Sequence, residues 1–333
     1  MTAERRPKAL LSMWSDVVGE VFPPALRAEL EQVVELLDPR PLKSLDDAVA
    51  RCLPEAEVLV TSWGALPIDA DLLACAPRLR AVFHAAGSVK GTVLDAGWRS
   101  GLVVTSAAAL GAQPVIEYTV AVITLAAHRI FSLAQTYREG SFVPVRGRRG
   151  RPGTTVGIVG ASAIGRGVIT RLVDDGWDVS VYDPVIDPAV IAQLGARQVE
   201  LDELCAASDI VSLHAPDVAA TRRMMDARRL GLMRDGATLI NTARGALVDH
   251  DALRVECGSG RLDAILDVTD PEPLAPDDLL LRLPNVFCTP HAAGVQGTEV
   301  ASLGAFMIDE LRRYTRGEPL EGAIDHRMLP VLA

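Results

Sequence analysis

Short apolar runs bounded by glycine, proline or polar residues alternate with stretches of helical periodicity along most of the chain. That alternation predicts parallel strands wrapped by helices, an α/β fold. Strands are expected at 10–13, 58–61, 81–84 and 103–105. The pattern then breaks. Gly111-Ala112-Gln113-Pro114 introduces a long helix over 115–139, with the proline near its start. The basic, glycine-containing segment 146–153 reads as a loop. A second series begins at Thr154, with strands expected at 156–159, 178–182, 209–213, 238–241, 262–267 and 286–289. A last helix over 298–316 stops near Gly317.

Within the second series, 154–184 reads as strand, tight turn, helix, strand, acid. This order seats the pyrophosphate and adenosine ribose of a dinucleotide. Gly160 permits the sharp turn and Gly165 lets the helix lie close to the sheet. The helix N-terminus, with Ser162, Ala163 and Ile164 at its mouth, offers free N–H groups to phosphate. Ser162 stands where a glycine usually lets the backbone approach the pyrophosphate. A serine is small and can donate to phosphate, so a modest loss of affinity is expected. Asp183, eighteen residues past Gly165, would bind the ribose hydroxyls and repel a 2′-phosphate. Pro184-Val185-Ile186 supplies no cation to welcome one, so NAD is expected rather than NADP.

The other strands of this series also end in useful groups: His214-Ala215-Pro216, Asn241-Thr242-Ala243-Arg244, Asp267 and Pro290-His291. Ligands of open α/β sheets bind beyond the carboxyl ends of the strands. Arg244, Glu272 and His291 suit hydride transfer at a carbon that bears a hydroxyl and adjoins a carboxylate. Histidine is a base or acid near neutral pH. Glu272 behind it would orient the ring and favour imidazolium. Arg244 offers a planar fork of donors for a carboxylate. Taken singly, Arg244 could cap a strand, Glu272 could be an exposed loop acid and His291 a surface ring. On successive strand ends of one sheet they read as a set. Of the other histidines, His128 falls in mid-helix, His250 and His326 read as surface residues, and His84 could line a cleft. No cluster has metal-ligand spacing, and a hydrolase elbow fails because Ile164 fills its last glycine position.

Composition narrows the field. At 333 residues, with 49% hydrophobic and 4% aromatic residues, the chain suits two soluble domains. A net charge of −10 disfavours nucleic acid and anionic membranes as partners. Arg146, Arg148, Arg149 and Arg151 read as a solvated basic loop. Five scattered cysteines without C-x-x-C point to reduced thiols in a cytoplasm, with neither disulfides nor zinc. The apolar stretch 119–127, short and flanked by charge, reads as a buried helix rather than a membrane span.

The motifs VGIVGASAIGR, LHAP, LINTARGALVD, ILDVTDPEPL and TPHAAG lie within 85–317. On them the chain resembles the D-isomer specific 2-hydroxyacid dehydrogenases. The resemblance implies a Rossmann-like NAD-binding domain over 109–296 and a flavodoxin-like substrate domain from 1–108 plus 297–333, both with doubly wound parallel sheets. It implies Arg244, Glu272 and His291 as catalytic residues. Gly160, Ser162, Ala163, Ile164, Asp183, His214, Ala215, Pro216, Thr242, Ala243 and Asp267 would bind the cofactor. Ala86 and Gly87, with Arg244 and His291, would bind substrate, and the long helix would form a homodimer. The implied reaction interconverts a small D-2-hydroxy acid and its 2-keto acid. A phosphite dehydrogenase or an NAD(H)-sensing corepressor-like protein could carry the same triad, whereas formate oxidation pairs histidine with glutamine. Val89 stands where the family often has an aspartate.

Overall fold

Runs of Val, Leu and Ile form parallel strands throughout the chain in the computed structural model, which describes residues 5–138, 140 and 150–328. The strands fall into two units, one of residues 5–111 with 295–328 and one of residues 112–294.

In the first unit β1 (Lys8–Ser12), β2 (Glu35–Leu36), β3 (Val58–Thr61), β4 (Ala81–His84) and β5 (Val103–Ser106) form one sheet in the order β2-β1-β3-β4-β5. This is the flavodoxin-like order. Every residue of β3 and β4 is buried, which is why these strands read as continuous apolar runs instead of alternating ones. Leu11, Met13 and Phe83 on one face pack with Met307 and Leu311 of the helix Val300–Arg316. The opposite face gathers Leu10, Leu59, Leu72 and Val82. The chain then returns to the sheet edge, where Ala323 bridges Thr105 antiparallel.

The second unit holds β6 (Thr155–Val159), β7 (Asp178–Tyr182), β8 (Arg197–Gln198), β9 (Ile210–Leu213), β10 (Thr238–Asn241), β11 (Asp263–Leu266) and β12 (Val286–Cys288). Their order is β12-β11-β10-β9-β6-β7-β8, the doubly wound arrangement whose direction reverses between β6 and β9. Register aligns the strand ends: Val159 pairs with Tyr182 and Leu213, Asn241 with Leu213 and Leu266, and Leu266 with Cys288. Asp183, Gly160, His214, Thr242, Asp267 and Thr289 therefore leave the sheet side by side along one edge.

The long helix differs from the sequence expectation. It starts at Ala108, directly after β5, and ends at Ala127; a second helix runs Ile130–Arg138. Pro114 lies inside the first helix rather than at its start. His128 occupies the turn between the two helices, and Arg129 takes a left-handed φ of 52° there. By length and composition Ala108–Ala127 is long and apolar enough to cross a membrane, so the shortness argued from 119–127 does not hold. One face of it, with Ile116, Val122 and Ile123, nevertheless belongs to the core of the second unit beside Ile158 and Ile169. Arg146, Arg148 and Arg149 lie outside the described residues. Arg151 places its guanidinium over the Trp177 ring at 5.7 Å.

Candidate active site

At the reversal point, Gly160 turns with φ 98°, and a Cβ there would lie 2.6 Å from the Ala215 nitrogen. Only glycine allows that turn beside β9. At Gly165 a Cβ would lie 2.1 Å from the Gly160 carbonyl oxygen, so the helix Ala163–Asp174 sits directly against the turn. Ser162 is the N-cap of this helix, and its Oγ accepts from the Gly165 N–H at 3.3 Å. The cap satisfies one first-turn donor and leaves the N–H groups of Ala163 and Ile164 without intrahelical acceptors. Serine at this position thus has a structural task of its own.

Asp183 closes the turn. Its Oδ2 accepts from Ala161 N at 2.7 Å, and Oδ1 accepts from Val185 N and Ile186 N at 2.8 and 3.0 Å. A carboxylate has about four acceptor positions, so one stays open on Oδ2. His214 turns inward: its ring is buried, Nε2 meets Ser212 Oγ at 2.9 Å, and burial pushes its pKa down to about 4. What His214-Ala215-Pro216 present to the sheet edge is backbone.

On the neighbouring strand the buried Asn241 folds over the turn that carries Arg244. Its Nδ2 donates to the Arg244 carbonyl at 2.9 Å and its Oδ1 accepts from Ala243 N at 3.1 Å. The Thr242 hydroxyl lies 3.0 Å from that of Thr119. The guanidinium of Arg244 donates through Nη1 to the Ala243 carbonyl at 2.6 Å. No carboxylate among the described residues forms an ion pair with it. Behind it, a Cβ on Gly245 would lie 2.1 Å from the Thr269 carbonyl carbon. Glycine therefore lets the arginine turn touch the segment that leads to Glu272. The peptide bonds Asp270-Pro271 and Glu272-Pro273 are cis.

His291 and Glu272 meet: Nδ1 lies 2.7 Å from Oε1, with the two side chains 54% and 43% exposed. His291 is one of few non-glycine residues with left-handed φ, at 54°. Asp267, buried at the end of β11, holds it there. The Asp267 carbonyl accepts from the His291 N–H at 2.9 Å. Its Oδ1 accepts from Thr289 Oγ1 and Ala292 N at 2.6 and 2.7 Å, and Oδ2 from Ala293 N at 3.0 Å. Thr289 in turn lies 2.8 Å from the Tyr118 hydroxyl.

Within the first unit, Ala86 is buried and Gly87 exposed just after β4. The Ala86 carbonyl accepts from Ala107 N at 3.1 Å. His84 does not line a surface: its ring is buried, Nδ1 is 2.9 Å from Thr61 Oγ1, and burial lowers its pKa to about 4. His250 is likewise buried, contrary to its surface reading, because it opens the helix His250–Gly258 with its ring folded towards the Val248 carbonyl. Val89 packs in the core with Val82 and Val93. Thr289, Tyr118 and Gly245 escaped the sequence reading as site residues. Asn241 was legible as a polar end to an apolar run, but not its task of bracing the Arg244 turn.

Comparison with known proteins gives a consistent result. The family profile described as D-isomer specific 2-hydroxyacid dehydrogenase, NAD binding domain, matches residues 120–293. The D-3-phosphoglycerate dehydrogenase of Mycobacterium tuberculosis is 31% identical over 285 residues, covering 84% of this chain and 53% of that protein. The chain thus spans about half the length of the phosphoglycerate dehydrogenases it matches. Glyoxylate reductase of Korarchaeum cryptofilum is 31% identical over 80% of this chain and 82% of its own. The apo D-mandelate dehydrogenase of Rhodotorula graminis superposes with TM-score 0.80 at 25% identity, covering 96% of this chain and 98% of that one.

Proposed function

Because this chain belongs to the D-isomer specific 2-hydroxyacid dehydrogenases, we propose that it interconverts a small D-2-hydroxy acid and its 2-keto acid. The observation that carries this reading is the His291–Glu272 contact on the sheet edge that also bears Arg244 and the Gly160 turn. NAD, when bound, supplies the hydride acceptor for oxidation and, reduced, the donor for reduction.

The second unit fits that coenzyme. The Gly160 turn and the free N–H groups of Ala163 and Ile164 suit the pyrophosphate, with Ser162 beside them. The open acceptor position of Asp183 suits one ribose hydroxyl, and its charge disfavours a 2′-phosphate. Backbone at His214-Ala215-Pro216 and Thr242-Ala243 borders the same edge, as does Asp267.

In the oxidative direction the C2–H bond of the hydroxy acid breaks with its electron pair leaving as hydride. The hydroxyl proton passes to His291 Nε2 and the C2–O bond becomes a carbonyl. Glu272, accepting at Nδ1, fixes the tautomer that leaves Nε2 a base, and it stabilises the imidazolium formed. In reduction that imidazolium returns the proton to the developing alkoxide. Arg244 grips the substrate carboxylate and polarises the C2 oxygen. For Ala86 and Gly87 as further carboxylate contacts, the family resemblance is the support.

The test is NADH consumption against glyoxylate, pyruvate, hydroxypyruvate and phenylpyruvate, with NADPH and phosphite as controls. His291→Ala should abolish turnover on the accepted keto acid while NADH binding stays intact. An unchanged kcat in that variant removes His291 from the chemistry, and turnover on phosphite alone moves the enzyme to the phosphite reaction. The five free cysteines support a reducing cytoplasm, to be checked by imaging a tagged chain. The exposed Leu110 and Leu125 of Ala108–Ala127, with Ile130 beyond it, support a homodimer. Sedimentation at the mass of one 35.5 kDa chain would exclude that assembly.

A further inference from the structure

Two neighbouring hydroxyls on one helix reach two different loops of the sheet edge. Tyr118 contacts Thr289, on the loop of His291, and Thr119 contacts Thr242, on the loop of Arg244. All four residues belong to the second unit. Thr289 has one hydroxyl proton, and it is donated to Asp267 Oδ1 at 2.6 Å. The Tyr118 hydroxyl must therefore be the donor to Thr289 Oγ1. The direction of the chain is then fixed: Tyr118 donates to Thr289, Thr289 donates to Asp267, and Asp267 accepts from the backbone of Ala292 and Ala293. Its last link is the Asp267 carbonyl on the His291 N–H, at the residue with left-handed φ. Burial raises the Tyr118 pKa, so this donor keeps its proton through the neutral range. Thr119 is fully buried and Thr242 nearly so, which shields the second contact from solvent.

We propose that Tyr118 and Thr119 are positioning residues, by which the helix Ala108–Ala127 holds the His291 loop and the Arg244 loop in mutual register. The inference rests on the dehydrogenase reading for its kinetic consequences. The coupling of helix to loops is a separate property of the fold. A histidine with a strained backbone has other conformations within reach, and a donor that orients the Thr289 hydroxyl selects among them. Small misplacement of a reacting group is costly in rate.

The test uses Tyr118→Phe and Thr119→Val in the full chain, with Thr119→Ser as the conservative control. Tyr118→Phe should lower kcat about 10-fold and shift the pH profile of kcat, with the NADH Kd unchanged. Thr119→Val should raise KM for the keto acid about 10-fold, more than it lowers kcat, and Thr119→Ser should restore it. The imidazole NMR resonance of His291, assigned by its loss in His291→Gln, should move in Tyr118→Phe and stay in place in Thr119→Val. Wild-type kcat, KM, pH profile and His291 resonance in both variants, with only Tm lowered, would overturn the proposal and leave the hydroxyls a purely structural role. If the wild-type enzyme turned over no keto acid, the dehydrogenase reading would fall on its own. The resonance would then decide the coupling: displacement in Tyr118→Phe supports it, and constancy ends it.

Discussion

His84 and His214 both follow or end a strand, yet their rings fold into the interior, where burial pushes each pKa down to about 4. An unfolded histidine titrates near 6.5. Below that pH the unfolded chain binds protons that the native rings refuse, so stability falls as pH drops from about 6.5 to about 4. A depression of this size corresponds to roughly 3 kcal/mol for each ring across that window. Urea unfolding at pH 7 and pH 5 should show the loss, and His214→Gln should flatten part of the slope. Equal stability at the two pH values would contradict the burial argument. These rings also mark where sequence stops informing. A histidine at the end of an apolar run is legible, and so was a carboxylate, Glu272, behind the His291 ring. The His214 ring turns in to meet Ser212 Oγ, whereas that of His291 stays half-exposed against Glu272. At φ 54° the His291 N–H is shared between the Thr289 carbonyl and that of Asp267, 24 residues upstream. No local pattern encodes the contact to Asp267.

Among elements, the final helix shows what one buried charge can organise. Glu310 is fully buried in Val300–Arg316. Its carboxylate accepts from Thr105 Oγ1, Arg313 Nη1, and the backbone N–H groups of Glu321 and Gly322. It thereby ties the returning chain end to β5. Glu310→Ala strands those donors and should cost about 3 kcal/mol in urea unfolding; a loss under about 1 kcal/mol would show the latch to be dispensable. This helix was readable because Gly317 ends it in a left-handed cap, at φ 68°. The helix expected over 115–139 was misjudged at both ends for the opposite reason. Pro114 suggested a beginning but sits inside a turn already formed. The break at His128-Arg129 carries neither glycine nor proline, and it coincides with the reach of Arg129 to Asp263 at 3.2 Å. The two-residue strands β2 and β8 went unseen because so short a run has no period to read.

For the molecule as a whole, the two units differ in how the chain supplies them. Residues 112–294 form the second unit without interruption, whereas the first draws on both 5–111 and 295–328. Its core pairs Leu11, Met13 and Phe83 with Val300, Leu303, Met307 and Leu311 from the far end of the sequence. A fragment of residues 112–294 should therefore fold alone and bind NADH, measurable by circular dichroism and by quenching of coenzyme fluorescence. Residues 1–111 alone should lack a cooperative melt; a sharp transition in that fragment would show that the last helix is not needed for its core. The same discontinuity imposes a timetable on synthesis. As the chain emerges from the ribosome, residues 5–111 must wait with greasy surface uncovered while the whole inserted unit is translated and collapses. Their closing piece, 295–328, follows only after that unit, so the early-made segment is the one that holdase chaperones have most reason to shelter.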